Sequence, residues 1–225
     1  MNLLAIETST ETCSVALTVN GEVLEYYRHA PRQHAELLLP WVEKILAEAG
    51  IGLRSLDAIA FSRGPGSFTS LRIGIGVVQG LAWASDRPVI PVSSLATTAQ
   101  TSVDAGVGSA LVALDARMNE VFTATFKVNE NGIMIPVSAE KVCPPDDVQV
   151  PVHSEVYGIG NGFIRYSPLV ALSDSLIGIR SDIWPRASSV LQLAQERSKT
   201  NKPLTAEQAQ PVYLRDNVAK KEKDR

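Results

Sequence analysis

Two stretches of this chain repeat one another in outline. LLAIETST followed by CSVALTVNGEV, and SALVALDARMNEVFTATFKVNENG, each run from an apolar segment through an acidic polar turn into a second apolar segment and an Asn/Gly turn. An internal duplication explains this economically and predicts two similar halves, each opening on an antiparallel meander. Strand–turn–strand runs are common, so chance similarity is the competing explanation. The length of 225 residues suits two small lobes or one large domain, at roughly 100–200 residues per domain.

Between the meanders the pattern turns helical. His34, Leu37, Leu38, Trp41, Ile45 and Leu46 recur at three and four residues and predict a helix over His34–Ala49, ended by Gly50 and Gly52. Pro40 lies inside it and predicts a kink or a split. Asp57–Phe61 reads as a strand running into SRGPGSFTSLRIGIGVVQG, Ser62–Gly80, with a second helix expected over Thr69–Ala84. Pro88–Val92 and Glu155–Ile159 read as strands, and Leu95–Thr101 and Ala187–Arg197 as helices. VCPPDDVQVPV reads as a surface connection, Pro203–Asn217 as a segment packing back on the body, and Lys220–Arg225 as a charged frayed end. The expected division is a first lobe over residues 1–104, a second over 105–202 and a C-terminal segment over 203–225.

Composition removes several function classes. A hydrophobic fraction of 45% with 20% charged residues is enough for a core, which excludes a wholly disordered chain. The net charge of −3 argues against a surface that grips nucleic acid throughout, because phosphate binding needs a basic face. Cys13 and Cys143 are too few for a disulfide framework, and His29, His34 and His153 fall in no metal-ligand spacing. The opening MNLLAIETST has no basic stretch ahead of its apolar run, so no signal peptide is expected. No run approaches the roughly 18 apolar residues of a membrane span, so a cytoplasmic protein without membrane attachment is expected.

The segment Ser62–Gly80 carries the most chemistry. A strand, a glycine-rich turn and a helix make a cradle whose backbone N–H groups face an anion. No lysine follows Gly66, so this is not a Walker loop. A tight turn entering a packed helix is the plain alternative. Gly74, Gly76 and Gly80 stand inside the helix, each costing about 1 kcal/mol relative to alanine. Gly76 and Gly80, four apart, leave a bare face for a second helix, from this chain or from another protein. Glu7 and Thr8 in the first turn and Asp115 in the second are placed where a two-lobed nucleotide cleft has its acidic turns, although turn chemistry alone favours such residues. G-x-S-x-G is absent, which leaves no hydrolase elbow, and Gly158-x-Gly160-x-Gly162 lacks the rest of a dinucleotide fingerprint.

At LLAIETSTETCSVAL, SRGPGSFTSLRIGIGVVQGLA, ALDARMNEVF and PVYLRDNVA the chain resembles, essentially end to end, the TsaB (YeaZ) family of bacterial tRNA threonylcarbamoyladenosine biosynthesis. The resemblance implies an α/β fold of the actin-like ATPase superfamily (sugar kinase, heat-shock-70 and actin), with two lobes built on mixed sheets. It implies a non-catalytic partner that binds and activates a TsaD-like transferase, which modifies adenosine 37 of tRNAs reading codons that begin with A. A TsaE-like ATPase joins the complex, tRNA is met through it, and a homodimer through a similar surface competes. TsaD-like relatives carry two metal-binding histidines after the glycine-rich helix, whereas Pro91–Ala99 here contains none. The resemblance therefore implies no cofactor of the chain's own, with ATP and metal used by the partner subunits. It also carries the partner contact onto the first two helices, with candidates at Leu37, Leu38, Trp41, Ile45, Arg72, Ile73, Gly76, Val77 and Gly80, some of which must be core because these helices also face their own sheet. A nucleotide-dependent enzyme, an ATPase or kinase with Glu7, Thr8, Gly64, Gly66, Ser67 and Asp115 around a degenerate cleft, is the alternative. A metallopeptidase is a weaker one.

Overall fold

The computed structural model describes residues 1–151 and 155–215. His153, Val152 and the charged end Lys220–Arg225 lie outside the described residues, as do the last residues of PVYLRDNVA and of the Pro203–Asn217 segment. Strands β1 (Leu3–Glu7), β2 (Thr12–Val19) and β3 (Glu22–His29) form the first meander. On its other side β1 pairs in parallel with β4 (Ala58–Ser62), and β4 with β5 (Val89–Val92), giving the order β3-β2-β1-β4-β5. Helix α1 (His34–Glu48) links β3 to β4, α2 (Phe68–Ser85) links β4 to β5, and α3 (Ser94–Thr101) follows β5. Pro40 does not split α1, which runs unbroken through it.

The second sheet repeats this plan. Strands β6 (Ser109–Asp115), β7 (Val121–Val128) and β8 (Met134–Pro136) are antiparallel neighbours, with β9 (Lys141–Cys143) also paired to β7. β10 (Tyr157–Ile159) joins β6 in parallel, and β11 (Gly178–Arg180) joins β10, so the order is β11-β10-β6-β7-β8. Short helices α4 (Gly162–Arg165) and α5 (Ser167–Val170) and the longer α6 (Ala187–Ser198) complete the body. The strand expected over Glu155–Ile159 shrinks to β10, and the expected surface connection begins inside β9. The result is two lobes, each built on a mixed sheet, with the duplication visible in the topology of both sheets.

Strand periodicity sorts the core. Leu4 and Ile6 of β1, Val15 and Leu17 of β2 and Ile59 and Phe61 of β4 point to one face, where α1 and α2 cover them. Leu3, Ala5, Ala58 and Ala60 point to the other, under Val190, Leu191 and Ala194 of α6. Leu95 and Ala99 of α3 pack instead on Ala110, Val112 and Leu114 of the second sheet. The lobes have thus exchanged helices: α3 follows the first sheet but covers the second, and α6 follows the second but covers the first. Where they meet, Gln100 Nε2 donates to Gln192 Oε1 at 3.0 Å and the Thr101 and Ser189 hydroxyls lie 2.9 Å apart. The sequence division at residue 104 separates each of these helices from the sheet it covers. Among the described residues no helix is long and apolar enough to cross a membrane.

Candidate functional site

The turns after β1, β4 and β6 meet the C-terminal segment around a cleft of about 880 Å³ between the lobes. Its wall includes Ser9, Gly66, Ser67, Phe68, Asp115, Arg117, Asn161, Trp184, Tyr213 and Arg215. The chemistry expected there is largely turned inward. Glu7 is fully buried at the end of β1. Its carboxylate accepts the Ser9 N–H at 2.5 Å and the Ser9 hydroxyl at 2.6 Å, and a third bond from the Ser62 hydroxyl. Burial pushes its pKa above the usual carboxylate range, against the downward pull of these three donors. Thr8, equally buried, donates its hydroxyl to the Ser70 carbonyl at 3.0 Å. Neither side chain lines the cleft, which corrects the expectation that both face a nucleotide.

The glycine turn closes directly onto the first turn. A Cβ on Gly66 would stand 2.3 Å from the Ser9 carbonyl oxygen, and the Ser67 N–H donates to that same oxygen at 2.7 Å. Backbone therefore fills the gap that an anion held between the two turns would need. Gly64 (φ +96°) lies behind the cleft, its built Cβ 3.1 Å from both Leu71 Cδ1 and the Val212 carbonyl. Of the six cleft candidates, Gly66, Ser67 and Asp115 reach the wall, whereas Glu7, Thr8 and Gly64 do not.

Asp115 is already engaged. Its Oδ1 accepts the Tyr166 hydroxyl at 2.6 Å and the Arg117 N–H at 2.8 Å, while Oδ2 lies 3.2 Å from Arg165 Nε and 3.5 Å from Arg117 Nη1. Burial and the hydrogen bond to Asp115 raise the Tyr166 pKa, keeping the phenol a donor. Among the described residues no three His, Cys, Asp or Glu side chains gather into a group able to hold a metal ion. His34 is buried in α1 with Nε2 3.0 Å from the Thr12 carbonyl, a packing role. Gly160 and Gly162 serve close packing, since a Cβ on either would stand within 3 Å of the Ala113 carbonyl.

Sequence reasoning placed the tail against the body but missed what it does. The Val212 N–H donates to the Arg63 carbonyl at 2.8 Å. Arg215 donates to the Ala116 carbonyl at 3.1 Å and pairs with Glu120. The segment is a strap across the cleft, and its only sequence signal is the apolar-aromatic patch PVYL in an otherwise polar stretch.

A second feature is the outer face of α1 and α2. Leu38 and Ile45 are fully buried with Val42 in the core, so they are closed to any partner, a correction to the expected contact set. Leu37, Trp41, Ile73 and Val77 are partly buried along the seam between the helices. Arg72, Gly76 and Gly80 are exposed. A Cβ on Gly76 or Gly80 would meet nothing within 4 Å, so no helix among the described residues uses that bare face. Gly74 is the opposite case, with its built Cβ 2.2 Å from Thr8 Oγ1.

Residues 27–223 match the family model for TsaD, tRNA N6-adenosine threonylcarbamoyltransferase. The chain is 40% identical over 223 residues to the tRNA threonylcarbamoyladenosine biosynthesis protein TsaB of Escherichia coli strain K12, covering 97% of this chain and 96% of that one. It is 39% identical to the TsaB of Haemophilus influenzae, covering 97% and 95% respectively. Among solved structures it superposes on YeaZ from Pseudomonas aeruginosa with a TM-score of 0.86 at 42% identity, covering 95% of this chain and 99% of that one.

Proposed function

This chain belongs to the TsaB family and takes part in tRNA threonylcarbamoyladenosine biosynthesis, and from that premise we propose that it is the docking and activating partner of a TsaD-type transferase. In this reading the transferase moves the threonylcarbamoyl group from its adenylate to N6 of adenosine 37, and a TsaE-type ATPase joins the assembly. This chain supplies no reacting group, uses no cofactor of its own and works in the cytoplasm. ATP and metal belong to the partner subunits.

The observation that carries the reading is the open row at Gly76 and Gly80, flanked by the half-buried Leu37, Trp41, Ile73 and Val77. Three glycines weaken α2, and among the described residues only Gly74 meets a packing neighbour that requires it. Two bare turns next to an apolar seam let another helix approach at short axial distance. The same face would serve self-association, so a homodimer competes with the heterodimer. The state of the cleft supports the reading as well: Glu7 is enclosed, Asp115 is paired with two arginines, and the first two turns touch.

The test is a transfer assay with the TsaD-type subunit, the TsaE-type ATPase, threonylcarbamoyl-adenylate, ATP, magnesium and unmodified tRNA. The chain alone gives no transfer, its addition raises transfer by the complete mixture, and Gly76→Arg abolishes that gain while leaving the circular dichroism unchanged. An addition without effect, or a Gly76→Arg variant as effective as the parent, overturns the proposal. The alternative of a nucleotide-dependent enzyme rests on the cleft. Micromolar ATP binding with hydrolysis by the isolated protein, followed by calorimetry, would favour that alternative instead.

A further inference from the structure

Phe68, Arg72, Gly76 and Gly80 follow one another at intervals of four along α2, and all are exposed. Spacing of four makes one ridge of a helix surface, here about 18 Å long at about 1.5 Å per residue. The ridge is uneven. Its middle is bare at the glycines, Trp83 stands beyond Gly80 at 73% exposed, and Phe68 and Arg72 form the other end. A residue from outside the helix joins that end. Tyr213 of the strap lies with its ring centroid 5.7 Å from that of Phe68, and its hydroxyl accepts the Arg72 Nε–H at 3.1 Å. The Arg72 guanidinium stacks 3.5 Å over the Phe68 ring. Phe68 and Tyr213 remain 49% and 46% exposed, so the cluster is ordered without being covered.

We propose that Tyr213 is a partner-contact residue, forming with Phe68 and Arg72 the wall at one end of the bare row, and that Arg215 is its positioning residue. This rests on the reading of α1 and α2 as the face for a TsaD-type transferase, and it extends that face onto the C-terminal strap. The occupant is a helix of that transferase, seated along the glycines with its flank against the aromatic wall. Tyrosine and arginine held in advance suit such a position, because little conformational freedom is lost on contact. The strap fixes Tyr213 from both sides. The Val212 N–H is tied to the Arg63 carbonyl of the first lobe, while Leu214 packs on the second-lobe core and Arg215 pairs with Glu120 there. The docking face is therefore held in shape partly by the lobe that does not carry it.

Calorimetric titration of the full-length chain with the TsaD-type transferase tests this. Tyr213→Ala weakens binding by about tenfold, the scale of an interface anchor, and Phe68→Ala weakens it in the same direction. Arg215→Ala weakens binding by itself but adds nothing in the Tyr213→Ala background, a non-additivity that a general loss of stability does not produce. Thermal midpoints measured alongside establish that each variant is folded. If Tyr213→Ala and Phe68→Ala bind like the parent while Gly76→Arg does not, the proposal is overturned and the reading of the α2 face stands. If the losses from Arg215 and Tyr213 simply add, the positioning role is overturned. If the parent chain itself does not bind the transferase, both fall.

Discussion

Glu7 is held where ionisation is costly, in a fully enclosed site whose three donors only partly offset the lost water. Its folded-state pKa lies above the value in the unfolded chain, so the folded protein binds this proton more tightly. The contribution to stability is present below the ordinary carboxylate range and is lost as pH rises through the folded value. Urea denaturation of the parent at a series of pH values rising from the ordinary carboxylate range should show this contribution to stability falling away. In Glu7→Gln, which cannot ionise, this part of the slope should vanish; an unchanged slope would refute the assignment. The sequence marked Glu7 and Asp115 as acidic residues of matching turns, and the topology bears out that correspondence. It did not reveal which way Glu7 faces. Every residue of β1 is buried, so there is no polar alternation to separate a cleft-facing position from one beneath it.

Along α2 the three glycines look equivalent as letters, yet they answer to different constraints. Gly74 and Gly76 are two residues apart and so point to nearly opposite sides of the helix, one onto Thr8 and the other into open space. Gly74→Ala should lose about 1–3 kcal/mol by overpacking, whereas Gly76→Ala should gain about 0.5–1 kcal/mol of helix stability. Denaturation midpoints of the two variants, moving in opposite directions, would check this. A gain at Gly76 would mean that the natural residue trades stability for a bare surface. Helical periodicity found α1 and its apolar stripe, but not the distinction between Leu38 and Ile45 at the centre of the stripe and Leu37 and Trp41 at its edge. That distinction depends on the breadth of the neighbouring helix, which α1's own sequence does not encode. The strap reads from sequence as a segment packing back, but its grip through Val212, Tyr213 and Arg215 depends on partners far off in the chain, Arg63, Arg72 and Ala116 among them.

At the scale of the molecule, the duplication was legible because both meanders carry the same turn chemistry, and the two sheets do share one topology. The helix exchange was not legible. A helix such as α3, only Ser94–Thr101 long, has an apolar face that fits either sheet, and the choice is made by the path of the chain. The exchange couples the halves energetically, since each sheet loses the helix over one of its faces once the other half unfolds. Tryptophan fluorescence and far-ultraviolet circular dichroism should therefore report one coincident transition; two separated transitions would disprove the coupling.

The traded helices also fix what happens when the chain is severed in the loop at Gly106. Each fragment would carry a lid that belongs to its sibling and would lack the one it needs, so either product made singly should clump. Made together in one cell, the two pieces should find each other and rebuild the whole, like a pair of gloves packed in the wrong boxes.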